Sequence, residues 1–378
     1  MKKGWKYKKL GDVCEILDSQ RKPITKGKRE PGAIPYYGAT GCLDYVKDYI
    51  FNEKLVLLGE DGAKWGAGDN SAYIINGKSW VNNHAHALRP KRDLLIDELL
   101  VYYLNFSNLL PYITGVTVPK LNQEKMRSIE IPIGPLKEQQ SIVDYLDSAF
   151  AKIDALKANA EKALGEAKAL FQASLKEMLE PKEGWEEKTF GKICEFVRGP
   201  FGGSLKKECF RDSGYAVYEQ QNAIYNKFTF RYFIDEEKYK SLIRFKVNPG
   251  DLIMSCSGTI GKVAIIPEDC KEGIINQALL KLTPKKEIDA HFLKYLMESN
   301  YFGEIINANI EGVAIKNIAS VAVLKEITLN IPKVVVQQSI VATLDSLKSK
   351  VDRLQENYEK ISKECDALKQ AMLREIFE

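Results

Sequence analysis

Three side chains in the first third of the chain are of types that perform acid–base chemistry or bind metals: Asp61, His84 and His86. The two histidines are two positions apart, so on a β-strand they would point to the same face. A zinc site needs three or four such ligands, and no cysteine or third histidine lies nearby in the sequence. We therefore expect no metal here and interpret both histidines as hydrogen-bonding or packing residues.

Two glycine-containing segments resemble parts of phosphate-binding loops, but neither has the required spacing. Gly77-Lys78-Ser79 would need a glycine at position 72, where the chain has Ala72. Residues 257–262 leave too few positions between their glycines. The sequence also lacks the G-x-G-x-x-G, Asn-Pro-Pro-aromatic and H-E-x-x-H motifs. We expect no catalytic residue and no bound cofactor in this chain.

The segments that contain these residues belong to an internal repeat, which occurs twice along the chain. Gly4-Trp5 and Gly184-Trp185 open matching segments 180 residues apart, and the Gln-Gln-Ser-Ile-Val segments at 139 and 337 match 198 residues apart. The second copy therefore contains extra residues within its globular part, and the middles of the copies barely resemble each other. Such a repeat indicates two similar structural units.

Each copy ends in a long stretch with apolar residues spaced alternately by four and three, flanked by charged residues. This spacing is typical of helices that pack lengthwise against each other, and some 40 residues give a rod of roughly 60 Å. Complementary small and large side chains predict antiparallel pairing about a centre near residues 160 and 354. Two ordinary amphipathic core helices are the alternative. The predicted coiled-coil residues are Ile142, Leu146, Ile153, Leu156, Leu170, Ile340, Leu344, Val351, Leu354 and Leu368.

The globular segments combine short β-like runs, such as residues 55–58 and 72–75, with helical patterns, such as residues 96–104. We predict an α+β fold in which two α+β domains are separated by an antiparallel coiled coil of two long helices, with pseudo-two-fold symmetry. The predicted segments are a first domain at 1–135, a first helix at 136–180, a second domain at 181–333 and a second helix at 334–378.

Composition sets broad limits. The net charge of +4 is compatible with nucleic-acid binding but does not argue for it. The seven scattered cysteines form no C-x-x-C pair and are interpreted as reduced thiols. No stretch has the length and apolar character of a membrane span. We expect a cytoplasmic protein without a membrane partner.

Together these features resemble the specificity subunits of type I restriction-modification systems over nearly the whole chain. Family-like phrases carry the resemblance with the repeat: residues 21–24, 34–39, 80–86, 250–252 and 257–262, and the closing phrases at 115–122 and 312–317. In that family, two variable target-recognition domains alternate with two long helical regions. The resemblance implies that the globular segments are target-recognition domains and that the chain binds double-stranded DNA.

DNA is read by side chains that offer hydrogen bonds to base edges, and other contacts to phosphates position them. About half of any such set serves only in turns or at the solvated surface. The candidates in the first domain are Arg21, Lys22, Tyr36, Tyr37, Asn82, Asn83, His84, Lys120 and Asn122. The candidates in the second domain are Gln220, Gln221, Asn222, Ser257, Thr259, Lys262, Gln277, Lys316 and Asn317.

The resemblance also implies partners. Each domain would read one half of a split, asymmetric target, the helices would fix the spacer, and two methyltransferase subunits carrying S-adenosylmethionine would dock along the helices and methylate adenine. Restriction subunits that use ATP and Mg²⁺ to translocate and cut DNA would join this core, and the sequence leaves open whether one accompanies this chain.

Two other functions are compatible with parts of the sequence. One is an enzyme that uses His84, His86 and Asp61, which predicts turnover by the isolated chain. The other is a coiled-coil assembly protein, which predicts self-association without salt-sensitive DNA binding. The repeat along the whole chain favours the DNA-reading function over both.

Overall fold

The computed structural model describes residues 4–257, 259, 261–309 and 321–378. The chain forms two compact units. The first comprises Met1–Lys162 together with Asn357–Glu378, and the second comprises Ala163–Glu356. Each unit therefore contains one part of each of the two long helices.

The first unit is an α+β body of short elements. Its strands are β1 (Lys6–Lys9), β2 (Cys14–Ile16), β3 (Pro31–Gly38), β4 (Gly41–Val46), β5 (Phe51–Asn52), β6 (Leu55–Gly59), β7 (Ala72–Ile75), β8 (Lys78–Val81), β9 (Ala85–Pro90) and β10 (Glu130–Ile133). Its helices are α1 (Leu10–Val13), α2 (Asp97–Phe106) and α3 (Gln123–Arg127), and the long helix α4 (Leu136–Leu179) begins in it. Short 3₁₀ turns cover Asp18–Gln20, Lys26–Lys28 and Leu110–Tyr112.

Two four-stranded sheets and the β1–β10 ribbon make up this body. The first sheet is antiparallel with the order β2-β9-β6-β7, and the second has the order β4-β3-β8-β5 with β3 and β8 parallel. Val56 and Leu58 of β6 join the hydrophobic core that contains α2, whereas Leu55 and Leu57 join a second core. Because β6 is buried on both faces, it has a continuous apolar run instead of an alternating pattern.

The second unit has the same kind of elements. Its strands are β11 (Glu186–Thr189), β12 (Cys194–Arg198), β13 (Tyr215–Tyr218), β14 (Phe233–Ile234), β15 (Leu252–Ser255), β16 (Val263–Ile265), β17 (Gly273–Ile275), β18 (Leu279–Pro284) and β19 (Thr328–Ile331). Its helices are α5 (Phe190–Ile193), α6 (Gln220–Tyr225), α7 (Glu236–Ser241), α8 (Ala290–Glu298), α9 (Asn300–Asn309), α10 (Val321–Glu326) and the long α11 (Val334–Phe377). Short 3₁₀ turns cover Gly202–Leu205, Lys207–Cys209 and Ile243–Phe245.

The sheets of the second unit repeat those of the first. Their orders are β12-β18-β15-β16, β14-β13-β17 and the β11–β19 ribbon, with β13 and β17 parallel. Cys194 faces Pro284 as Cys14 faces Pro90. After β13 the units diverge, because the second has α6 and α7 where the first has a hairpin. The predicted α+β fold with two long helices is confirmed.

A buried glutamine from each repeated Gln-Gln-Ser-Ile-Val segment ties a long helix to its unit. Gln139 accepts a hydrogen bond from the backbone of Ile96 and donates to the carbonyls of Leu94 and Gly134. Gln337 makes the equivalent three bonds in the second unit. Both glutamines are fully buried. These internal bonds give a structural reason for the repeated motif, because a buried amide must be satisfied.

The long helices run antiparallel within each unit. In the first unit Lys157 bonds to Asp366 at 3.1 Å and Lys369 bonds to Asp154 at 2.5 Å. In the second unit Lys168 bonds to Gln355 at 2.7 Å, and Leu175 and Leu179 share a core with Leu344. The predicted register was wrong: it would place Lys168 near Ser346, nine residues before Gln355.

The buried stripe of each helix also differs from the predicted one. Of the predicted positions, five are buried, Ile142, Leu146, Ile153, Leu344 and Val351, and Ile340 is half-buried. Four are exposed: Leu156, Leu170, Leu354 and Leu368. The stripe continues from Ile153 to half-buried Lys157, and from Val351 to half-buried Gln355. In a heptad pattern, steps of four and three residues alternate. Here two steps of four follow each other, which is a stutter, and it shifts the buried face of the helix away from the heptad positions. Leu164, Leu175, Cys365 and Leu373 occupy the buried face beyond it.

Among the helices described, none combines the length and the apolar character needed to cross a membrane.

Candidate nucleic-acid interface

Most of the polar residues predicted in the first unit converge around the turn between β8 and β9. Asn82 is buried at the start of this turn, where its side-chain oxygen accepts from the backbone of His84 at 2.8 Å. The backbone N–H of Asn82 donates to Tyr37 at 3.0 Å. Asn83 and His84 are exposed at the tip. The turn is therefore fixed by Asn82 and presents its two following side chains to solvent.

A network of ion pairs lies behind this turn. Arg21 donates to Glu60 at 2.6 Å and to the carbonyl of Ala85 at 2.7 Å, and its side chain is only 10% exposed. Lys120 binds the other oxygen of Glu60 at 2.7 Å. The carboxylate of Asp18 lies 3.3 Å from the Arg21 guanidinium. Arg21 therefore uses its charge within the protein, and Lys120 keeps a partly exposed side chain.

His86 is the most enclosed member of the network. Its Nδ1 lies 2.6 Å from the Asp18 carboxylate and its Nε2 lies 2.7 Å from the carbonyl oxygen of Leu121. The Leu121 carbonyl can only accept, so Nε2 donates to it, and Nδ1 is occupied by Asp18. With no free ring nitrogen, His86 is not placed to act as a general base, which argues against the hypothesis of an enzyme built on His84, His86 and Asp61.

The carboxylates of the network are stabilised in their charged form. Burial alone would raise the pKa of Asp18, but the hydrogen bond and positive charge of His86, with further help from Ala87 and Arg21, lower it below its ordinary value. Burial likewise opposes ionisation of Glu60, and the bonds from Lys120 and Arg21 lower its pKa. The ionised form of both carboxylates is therefore favoured by their hydrogen-bond partners.

Asp18, Glu60 and His86 also lie close enough for a metal site, because one ligand atom from each falls within 4.8 Å of the others. The charges do not fit this role. Arg21 and Lys120 already bind Glu60, and His86 is already bonded to Asp18, so a metal ion would have to displace these partners and would lie beside two positive charges. This donor set fits a closed ion network better than a metal centre.

The remaining predicted residues of the first unit have mixed environments. Buried Tyr36 accepts from the backbone of Ile24, and Asn122 caps α3 by accepting from Lys125. The polar atoms of Tyr36, Asn82, Asn122 and Arg21 therefore support the fold and leave little for DNA. Five residues keep exposed or partly exposed side chains that are not committed to a helix cap or held almost entirely within the ion network: Lys22, Tyr37, Asn83, His84 and Lys120.

The second unit contains the same turn between β17 and β18. The side chain of Asn276 accepts from the backbone of Ala278 at 3.0 Å, and its own N–H donates to Tyr218 at 2.9 Å. Gln277 is exposed at the tip. Sequence reasoning missed Asn276, although the repeated pairs Asn82-Asn83 and Asn276-Gln277 could have revealed it.

Other predicted residues of the second unit lie near α6 and the β15–β16 turn. Asn222 is buried and caps α6 in a reciprocal arrangement with Glu219, so it serves the fold. Gln220 and Gln221 are half-buried, and Gln220 Oε1 meets no donor within the part of the chain that is described. The exposed residues are Ser257, Thr259 and Lys262; Lys316 and Asn317 lie outside the described residues.

The chemistry behind the turn differs between the units. Leu58 of β6 pairs with His86, and the corresponding Met254 of β15 pairs with Leu280. Arg198 lies opposite Leu280 and follows Cys194 by four residues, as Asp18 follows Cys14 in the first unit. Cys256 follows β15 as Glu60 follows β6; burial raises the pKa of its thiol, and Arg198 opposes that rise. One framework therefore carries two different sets of polar groups.

Comparisons with known proteins agree with this architecture. The family model described as "Type I restriction modification DNA specificity domain" matches residues 2–164 and 182–363. A putative type I restriction enzyme specificity subunit of Haemophilus influenzae is 37% identical over 145 residues, which are 38% of this chain and 37% of that protein. A putative type I specificity subunit of Mycoplasma pneumoniae is 25% identical over 347 residues, which are 90% of this chain and 88% of that protein.

Two solved structures share the fold. A chain from a study of complex assembly and conformational transition of the type I R-M system has a TM-score of 0.74 at 16% identity, covering 99% of this chain and 97% of that chain. The HsdS subunit from Thermoanaerobacter tengcongensis has a TM-score of 0.57 at 17% identity, covering 100% and 97%. With two copies of the family's domain matched along its length, the chain belongs to the type I restriction-modification DNA specificity family, whose members are non-catalytic DNA-recognition subunits.

Proposed function

We propose that this chain reads a bipartite, asymmetric DNA target and docks methyltransferase subunits in a type I restriction-modification complex. The observation that carries the proposal is the pair of Asn-fixed turns, which present Asn83 and His84 in one unit and Gln277 in the other. Asparagine and glutamine amides can pair with two atoms of one adenine in the major groove. The two turns carry different polar side chains on the same arrangement of strands, and this difference supports two dissimilar half-sites.

Methylation mapping tests this proposal. The chain is produced with its methyltransferase subunits, and the methylated adenines give both half-sites and their gap. Asn83→Ala and Gln277→Ala form a matched pair: each variant should relax specificity in one half-site, by about 1–3 kcal/mol per lost contact, and leave the other unchanged. Self-association without salt-sensitive DNA binding would instead favour an assembly protein.

Exposed leucines on the long helices support the docking proposal. Leu156 and Leu368 belong to the first unit, next to the Lys157–Asp366 pair, and Leu170 and Leu354 belong to the second, next to the Lys168–Gln355 pair. Each unit thus offers one pair of exposed leucines at matching repeat positions. Large apolar side chains on a polar helix surface are suited to a protein interface. Two such pairs agree with two methyltransferase subunits.

Aspartate substitutions test the docking surface. The double variant L156D/L368D should lose one methyltransferase copy, and L170D/L354D the other, with little change in the melting temperature of the isolated chain because all four side chains are exposed. Analytical ultracentrifugation of the purified complexes measures the stoichiometry. Unchanged assembly of both variants would contradict this docking surface. In the proposed complex, S-adenosylmethionine, ATP and Mg²⁺ bind on the partner subunits, and the complex works in the cytoplasm.

A further inference from the structure

An apolar loop lies beside the turn between β8 and β9 of the first unit, which is called the polar turn below. It comprises residues 115–119, and its valines are among the most exposed apolar side chains described: Val116 is 103% exposed and Val118 is 66% exposed. Two valines exposed together on one short loop contribute little to folding through burial, and they are accessible to a binding partner.

The loop is held rigidly. Thr114 and Lys120 close its base with two backbone hydrogen bonds of 2.9 and 2.8 Å. Gly115 has a φ of +88°, and a Cβ there would lie 2.4 Å from the carbonyl oxygen of Val118, so the loop requires glycine at this position. Three β-branched residues, Val116, Thr117 and Val118, followed by Pro119 restrict the chain further.

The base of the loop is also bonded to the candidate interface. Lys120 Nζ and the N–H of Leu121 both bond to Glu60, at 2.7 and 2.8 Å, and the carbonyl of Leu121 accepts from His86. The backbone N–H of Glu60 donates to His84 in the polar turn at 2.8 Å. The buried ion network therefore fixes the loop relative to the residues proposed to read DNA.

The amino-acid motif of this segment recurs in the second repeat, although the residues proposed to read DNA differ. The first copy reads Gly-Val-Thr-Val-Pro-Lys from Gly115, and the second reads Gly-Val-Ala-Ile-Lys from Gly312, which lies outside the described residues. A sequence motif that recurs in both repeats, when the proposed half-sites differ, suits a task that is independent of DNA sequence. In the proposed function each half-site contains an adenine that is drawn out of the helix for methylation, which costs unstacking energy.

We propose that Val116 and Val118 form a wedge that enters the DNA beside the target adenine and helps a bound methyltransferase subunit to extrude it. Apolar side chains inserted at a base step unstack it and kink the duplex. The inference rests on the proposed function, and it assigns these valines a positioning role without base reading or catalysis.

The test uses the assembled complex with methyltransferase subunits and DNA carrying 2-aminopurine at one target adenine or the other. With the native chain, fluorescence should rise at both positions. The V116S/V118S variant should lose the rise at the half-site read by the first unit, and methylation there should slow on the order of tenfold or more, because unstacking is no longer assisted. The other half-site serves as an internal control.

A rescue experiment separates a wedge from a structural role. Placing the target adenine in a mismatch removes much of the unstacking cost, so it should restore methylation by V116S/V118S. Val335→Ser, a substitution of a 76% exposed valine on α11, controls for the loss of an exposed apolar side chain. Unchanged fluorescence, an altered recognition motif, or loss of the methyltransferase subunits would overturn the wedge. If the native complex itself neither binds nor methylates DNA, the proposed function fails instead.

Discussion

At the scale of single residues, the first unit depends on charges that cancel within the protein. Two carboxylates, Asp18 and Glu60, are held by Arg21, Lys120 and His86, and most of the atoms involved are shielded from water. Shielded pairs are weakly screened, so losing one partner costs much more than losing a surface pair. The network joins segments that are far apart in the sequence and positions both the polar turn and the apolar loop.

Removing the central carboxylate should destabilise the first unit. In the Glu60→Gln variant the 10% exposed Arg21 loses its nearest anion, and the expected loss in the free energy of unfolding is about 3 kcal/mol. Glu30→Gln removes the anion of a surface pair with Lys47, where the carboxylate side chain is 72% exposed, and should change stability by less than about 0.5 kcal/mol. Urea denaturation measures the free energy of unfolding of both variants. Equal losses would contradict a buried, stabilising role for Glu60.

Stability should also depend on pH in a defined direction. The pKa values of Asp18 and Glu60 are lowered in the folded chain, so their contribution is fully present above the ordinary carboxyl value near 4 and is lost as pH falls through the lower folded values. The melting temperature of the first unit should therefore fall as the pH is lowered below about 4. The D18N/E60Q variant should show a smaller change over this range; the same acid dependence in both proteins would exclude these groups as its cause.

At the scale of elements, each long helix contains two possible apolar stripes, and only one of them is buried against the partner helix. After Ile153 in α4 and Val351 in α11, the buried face follows the stutter and leaves the leucines of the heptad pattern in solvent. The sequence contains both stripes, and only packing against the partner helix selects between them. The selection places leucines on the outside, where they are available to another protein.

Paired alanine substitutions distinguish the stutter from a heptad seam. Ile153→Ala should cost about 2–4 kcal/mol because it opens a cavity between helices, whereas Leu156→Ala, at a 55% exposed side chain, should cost less than about 0.5 kcal/mol. A regular heptad predicts similar losses at both positions. Thermal unfolding of the isolated chain measures them, and a costly Leu156→Ala would refute the stutter.

At the scale of the whole molecule, one chain carries two α+β units with matching sheets and different polar groups behind the same turn. We propose, from the resemblance to specificity subunits, that the long helices fix the distance between half-sites. If the helices act in this way, helix length should determine the spacer between half-sites.

Matched deletions of residues 157–163 and 360–366 test this spacer proposal. They remove seven residues from each helix while keeping the Asp154–Lys369 and Lys168–Gln355 pairings on either side. The loss of about 10 Å of helix should shorten the preferred spacer by about three base pairs. Methylation mapping reads the new gap, and deletion of 157–163 alone, which breaks the pairing, is the control. An unchanged spacer in the matched variant would refute the proposal.

The sequence by itself determined the repeated α+β organisation and the existence of two long helices, because hydrophobic periodicity and repetition are local properties of the chain. It also proposed Asn83, His84 and Gln277 as candidate DNA contacts, because such side chains can hydrogen-bond to base edges. Only the tertiary structure decided that Arg21, Tyr36 and Asn222 serve the fold, and which stripe of each helix is buried. Those outcomes depend on partners far away in sequence, such as Glu60 for Arg21, and no local pattern specifies such a partner.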